Sequence, residues 1–209
     1  MGEGDEDCGQ VTRRRTTAPR KGDLRREAML DAAEALLSTR GYEAMTIADI
    51  ADGAGVTRGA LYFYFGSKQE VITALFARCV AVLQEKSRAA AADAASGAAA
   101  IDTAMERTEA LWRDHGVVMR AAIDLASTIE ELDTLWRDTA ELFIDAIRRV
   151  LENMGVPAGS GIDESSSIAT TLCWMIERNF YQASRVSNSE LARASKTCAE
   201  IWRRAARTA

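Results

Sequence analysis

The sequence predicts an all-α protein of about nine helices, arranged as a small N-terminal unit followed by a larger helical one. Three observations carry this. Only two prolines, Pro19 and Pro157, interrupt 209 residues, and the apolar/polar alternation of a strand is nearly absent. Apolar residues instead recur at spacings of three and four from Met29 almost to the C-terminus. Glycines and capping residues divide that pattern into helix-length pieces.

Residues 1–22 are rich in Gly, Thr and charge and carry no apolar period, so they are read as a disordered arm. Met29, Ala32, Ala33, Leu36 and Leu37 form the first helix, with Asp23 as its cap and Gly41 as its stop. Thr46 caps a short second helix through Ile47, Ile50, Ala51 and Ala54, and Gly55 supplies the turn. Thr57 caps a third short helix, roughly Arg58 to Phe65. Gly66 and Ser67 end it, and Ser67 with Glu70 forms a capping box for a long fourth helix carrying Val71, Leu75, Cys79 and Val82 on one face. Residues 88–100 are nearly all Ala and read as a helix end and a link. Five further helices follow, at about 98–114, 116–126, 129–153, 163–186 and 189–207. Asp163 and Asn188 serve as caps, and Gly155 to Gly161 is the clearest loop. The implied units are 1–22, 23–83 and 84–209.

Composition removes several classes of function. No apolar run approaches the ~20 residues that span a bilayer. The acidic start at Glu3, Asp5, Glu6 and Asp7 is unlike a secretory leader, so a cytoplasmic protein with no membrane partner is expected. Cys8, Cys79, Cys173 and Cys198 lie far apart and His115 is the sole histidine, which argues against a metal site and for idle thiols. No cofactor is expected. The net charge of −5 hides a basic block in which Arg13, Arg14, Arg15, Arg20, Lys21, Arg25 and Arg26 are opposed only by Asp23. Such a block on an acidic chain reads as a local phosphate-binding end.

Three helices with a glycine turn between the second and third make a helix-turn-helix, whose third helix enters the major groove of double-stranded DNA. Ile47, Ile50, Ala51, Val56 and Leu61 pin the short helices. Thr57, Arg58 and Gly59 occupy the reader's exposed first turn, and Arg58 is the candidate for a bidentate contact to guanine. Leu61 and Phe65 belong to the core, Phe63 partly so, whereas Tyr62 and Tyr64 are read as surface contacts. The run from Thr46 to Val71, above all Leu-Tyr-Phe-Tyr-Phe-Gly-Ser-Lys at Leu61–Lys68, resembles the signature of TetR-type regulators over roughly residues 24–75. The resemblance implies that Thr46, Thr57, Tyr64 and Lys68 hold phosphates, while Arg58, Gly59 and Tyr62 face the groove. The family's core often has His where Tyr64 stands. The arm bearing Arg13, Arg14 and Arg15 is expected in the adjacent minor groove.

In the C-terminal half, Trp136, Ala140, Phe143, Ile147 and Val150 form one helical stripe. Met105, Thr108 and Trp112 form a second, and Cys173, Ile176 and Phe180 a third. Such stripes are ordinarily core, but the tryptophans beside small residues and a hydroxyl also suit a cavity for a small apolar effector. Leu172 to Phe180 resembles a Met-x-Glu-Arg pattern of the TetR subgroup typified by the ethionamide-linked regulator of mycobacteria. That likeness implies a tunnel lined by Trp112, Trp136, Phe143, Ile147, Cys173, Ile176, Phe180 and Trp202, with Met105 and Thr108 beside them. Cys173 and Ile176 present apolar surface, which suggests a ligand with few hydrogen-bonding groups. Glu177 and Arg178 read as an ion pair or a solvated pair, since a buried Glu177 would need a partner. His115, next to Gly116, reads as a helix cap or break. The last two helices, with Leu191, Ala194, Cys198, Ile201 and Trp202, are implied by the resemblance to form a homodimer.

The expected function is therefore a transcriptional regulator, a repressor by family habit, that binds a palindromic operator as a homodimer and is released by the effector. Two rivals stand beside it. A ligand-independent DNA-binding dimer would have a solid C-terminal core. A helical enzyme lacks any credible catalytic set.

Overall fold

The computed structural model describes residues 21–91 and 97–208. Among these every regular element is helical: α1 (Lys21–Ala44), α2 (Ile47–Gly53), α3 (Arg58–Tyr64), α4 (Lys68–Ala91), α5 (Gly97–Ala126), α6 (Glu130–Asn153), α7 (Ser165–Ser184) and α8 (Asn188–Thr208). The count is eight where the sequence suggested nine, because the segments expected at 98–114 and 116–126 are one helix. His115 kinks α5 (φ −127°, ψ 20°) without ending it. Gly116 is buried with Ser184 close by, so the bend is held by packing.

The N-terminal head, α1 to α4, against which α5 to α8 form the body, is built as its apolar spacing requires. Met29, Leu30, Ala33 and Leu37 turn one face of α1 onto Ile50, Ala51, Leu61 and Phe65 of the short helices and onto Val71, Ile72 and Leu75 of α4. Gly41 breaks α1 at a φ of 75°, a conformation that side chains with a Cβ rarely adopt. Gly55 (φ 64°) makes the turn into α3 in the same way. Thr46 caps α2 with a complete box, its hydroxyl accepting from the Asp49 N–H while the Asp49 carboxylate accepts from the Thr46 N–H. Ser67 accepts from the Glu70 N–H, but the Glu70 carboxylate reaches one residue further back, to the Gly66 N–H at 2.9 Å.

Several expected boundaries move. Helix α1 already begins at Lys21, so Asp23 lies in its first turn instead of capping it. Helix α7 begins at Ser165 after Glu164, not at an Asp163 cap. The cap of α8 is Ser187, which accepts from the Glu190 N–H, and not Asn188. Val82 at the end of the α4 stripe is exposed.

One continuous core joins head and body, with α4 packing on α5 and α6 and Phe76 meeting Trp136 at 5.2 Å between ring centroids. In the body α6 packs on α7, and α8 packs on both α5 and α7. Tyr181 donates to Asp124 at 2.6 Å, and Arg120 donates to the Ser184 carbonyl at 3.0 Å, fixing α7 to α5. Cys79, Cys173 and Cys198 are buried, free thiols, and burial pushes them up to about 12, about 11 and about 11. Such thiols are poor nucleophiles at neutral pH.

Candidate functional site

Two places concentrate the candidate residues: the outer face of α3 and a cavity in the body. Helix α3 is short because Thr57 starts it and Phe65 leaves it in an extended conformation. Leu61 and Phe65 anchor it from below. Thr57, Arg58, Gly59, Tyr62 and Phe63 are all exposed. The Thr57 hydroxyl accepts from the Ala60 N–H at 3.1 Å, leaving its proton to offer outward. Arg58 makes no ion pair among the described residues.

Gly59 is the most informative residue on this face. A Cβ placed there would meet nothing of the chain nearer than the Thr57 hydroxyl at 4.0 Å, so the fold does not require a glycine. Glycine weakens a helix relative to alanine. A glycine that the fold does not need, on an exposed helix face, leaves the backbone open to close approach from outside.

The flanking residues are more engaged than the sequence suggested. The Lys68 ammonium donates to the Tyr42 carbonyl at 3.0 Å and lies 4.0 Å from the centre of the Tyr42 ring, which leaves further protons to offer. Thr46 is exposed, but its hydroxyl is held in the α2 cap. Tyr64 is half-buried against the core. Phe63, expected partly in the core, is instead 85% exposed and meets Tyr64 edge-on at 5.4 Å. Sequence reasoning missed it because a phenyl ring carries no outward signal; only the helical phase between Leu61 and Phe65 could have shown it. Arg13, Arg14 and Arg15 lie outside the described residues.

The cavity lies among α4, α5, α6, α7 and α8 and encloses about 190 Å³. A single water needs roughly 10–15 Å³ on such a measure, so a small organic molecule has room. The three stripes converge on it. Met105, Thr108 and Trp112 come from α5, Trp136, Ala140, Phe143, Ile147 and Val150 from α6, and Cys173 and Ile176 from α7, with Trp202 from α8. Phe180 is the exception: it is fully buried behind the wall, stacked on Trp112 at 6.4 Å. Thr108 and Thr139 spend their protons on the Ala104 and Leu135 carbonyls. The wall also includes Leu111, Met119, Arg107, Trp174 and Glu177, none of which the stripes singled out. Glu177 makes no ion pair with Arg178, although that charge lies near enough to favour its ionised form. The residue is half-buried, with its Oε1 out of contact with water and without a hydrogen-bond partner, and burial holds its carboxyl above the usual range.

Polar contacts join α4 and α5, two of the helices that wall the cavity, to α1 of the head. The Arg78 guanidinium on α4 meets Glu27 at 3.1 Å, Asp31 at 2.7 Å and Glu34 at 2.7 Å, all on α1. His115 Nδ1, at the kink of α5, lies 2.8 Å from the other Glu34 oxygen. His115 thus does more than bend its helix.

Residues 29–75 match the model of the bacterial regulatory proteins of the tetR family. The HTH-type transcriptional regulator EthR of Mycobacterium tuberculosis is 30% identical over 206 residues, covering 92% of this chain and 91% of that protein. The chain belongs to the TetR family. KstR2, an HTH-type transcriptional repressor of M. tuberculosis, is 47% identical over 51 residues, 24% of this chain and 26% of its own. Solved TetR-like folds superpose on most of the chain. A TetR-like regulator from Rhodococcus sp. RHA1 gives a TM-score of 0.69 at 19% identity, covering 92% of this chain and all of that one. A regulator from Saccharomonospora viridis, solved in complex with choline, gives 0.72 at 18% identity, covering 84% and 94%. The protein is thus a DNA-binding transcriptional regulator of TetR type with a helical C-terminal domain, and not an enzyme. Among the described residues no helix is long and apolar enough to cross a membrane.

Proposed function

We propose that this TetR-family protein is a cytoplasmic repressor that binds a palindromic operator as a homodimer and leaves it when a small, largely apolar molecule enters the cavity. Residues 23–83 would form the DNA-binding unit, 84–209 the effector and dimerisation unit, and 1–22 a basic arm. In this reading Arg58, Gly59 and Tyr62 meet the major groove, Thr46, Thr57, Tyr64 and Lys68 the phosphates, and Arg13, Arg14 and Arg15 the minor groove. The cavity residues receive the effector, and the last two helices pair with their symmetry mates, where Trp174 and Ile201 are exposed apolar side chains that a partner would cover.

One observation carries the effector response. Helix α5 walls the cavity with Met105, Thr108 and Trp112, and three residues later its His115 contacts Glu34 of the head helix. A ligand that fits better when α5 is displaced would shift the head away from its DNA-binding position.

Selection of duplexes from a random pool by the purified protein, then titration of the best duplex at two salt concentrations, tests this. A two-fold symmetric site, with affinity falling steeply as salt rises, is the expected result. Absence of enrichment from folded protein that mass spectrometry shows to be ligand-free would overturn it.

A further inference from the structure

The cavity holds a carboxylate oxygen that the fold leaves unanswered. Glu177 stands on the wall beside Cys173 and Ile176, with Oε1 wholly buried and no donor within reach. Arg178, its neighbour in sequence, turns away and places its guanidinium 5.0 Å from the centre of the Tyr181 ring. Glu177 as a whole is half-buried, and a carboxylate oxygen withdrawn from water without a partner is disfavoured. A purely apolar guest would leave that penalty in place.

The rest of the wall favours the same sign of charge. Trp112, Trp136, Phe143, Trp174 and Trp202 bring aromatic rings to one cavity, and ring faces attract cations. Arg107 is the opposing feature. Like Glu177 it is half-buried, but it also borders the surface groove beside Glu106 and Asp114, whose carboxylates can balance it. Glu177 Oε1 has no such partner.

From this geometry we propose that the effector is an apolar cation, with its charged nitrogen set against Glu177 and its body among the aromatic rings. This rests on the reading of the cavity as the effector site and names the chemical class it takes. The Trp202 indole N–H, also buried without an acceptor, would take an oxygen on the same molecule.

Calorimetric titration of the full-length protein with three matched probes tests the inference. These are trimethyl(4-phenylbutyl)ammonium, its uncharged isostere (5,5-dimethylhexyl)benzene, and 5-phenylpentanoate. The ammonium should bind about tenfold or more tighter than its neutral isostere, as expected for a desolvated cation meeting a carboxylate and ring faces. Glu177→Gln should remove that preference while still binding the neutral probe. Binding of the neutral probe without preference for the cation, or tightest binding of 5-phenylpentanoate, overturns the charge assignment but leaves the cavity as an effector site. Failure of all three probes to bind overturns both readings. The probe series on the unaltered protein decides the matter even if Glu177→Gln does not fold.

Discussion

Gly59→Ala separates what the fold needs from what the DNA needs. In the free protein the added methyl meets only the Thr57 hydroxyl, at 4.0 Å, which is ordinary contact. Alanine restricts the unfolded chain and favours the helix, but Gly59 lies in the first turn, so the gain should sit near the low end, about 0.5 kcal/mol. For a chain of this size that corresponds to a rise in Tm of about 1–2 °C. On DNA the sign should reverse. If the α3 backbone lies against the groove wall, a methyl group there must push the reader outward, with affinity falling by about tenfold or more, or ~1.4 kcal/mol. Thermal melts and operator titrations on the same preparations read both effects. Gly55→Ala is the contrasting control, because its φ of 64° makes any side chain strained. It should lose about 1 kcal/mol of stability. Unchanged operator affinity in Gly59→Ala would refute the claim that this face approaches a duplex.

Arg58→Ala should weaken binding to the selected operator by about 1–3 kcal/mol and flatten sequence preference at one position of each half-site, read by competition among duplex variants. Glu177→Gln should stabilise the ligand-free protein, with a pH-dependent advantage. Burial raises the folded-state pKa of this acid, so the native state holds its proton more tightly and the wild type loses stability as pH climbs from the ordinary carboxylate range through the raised value. The Tm difference between the two proteins should therefore widen from pH 4 upward and then level; a flat difference would contradict a desolvated Glu177. Arg78→Met should cost about 2 kcal/mol in denaturant unfolding, since it strips three α1 carboxylates of their common partner. His115→Phe should leave operator binding near wild type but blunt release by any cavity ligand, seen as a smaller ligand-induced shift in the DNA titration.

The parts of this molecule legible in the sequence were those written in a period or a cap. The face of α6 could be read because Trp136, Ala140, Phe143, Ile147 and Val150 repeat at helical spacing, and all five line the cavity. Thr46, Thr57 and Ser67 could be read as caps because each hydroxyl answers a specific orphan N–H. What failed was whatever depends on the third dimension. Phe180 has the same phase as Cys173 and Ile176, yet it lies behind Trp112, and no spacing distinguishes a wall residue from one supporting it. Ile201 shares a stripe with Cys198 and Trp202 but points outward. Two helices were expected where one bent helix stands, because His115-Gly116 looks like a stop until Glu34 and Ser184 are seen to hold the bend.

The two unanswered groups in the cavity, Glu177 Oε1 and the Trp202 N–H, bear on how a ligand could move the head at all. A ligand shifts a conformational equilibrium only by its difference in affinity for the two states. An apolar filling discriminates between them through steric fit alone. A charge held against the buried oxygen of Glu177 depends steeply on distance and on the exclusion of water. Glu177 stands on α7, whereas the residue that contacts the head stands on α5, and the cavity lies between these helices. A guest bound tightly to the α7 wall fixes one side of the cavity, so that its bulk is accommodated by movement of the other. That other side carries Trp112 and, three residues on, the His115 contact to Glu34. Charge at one wall and bulk at the other would together give more discrimination than either alone.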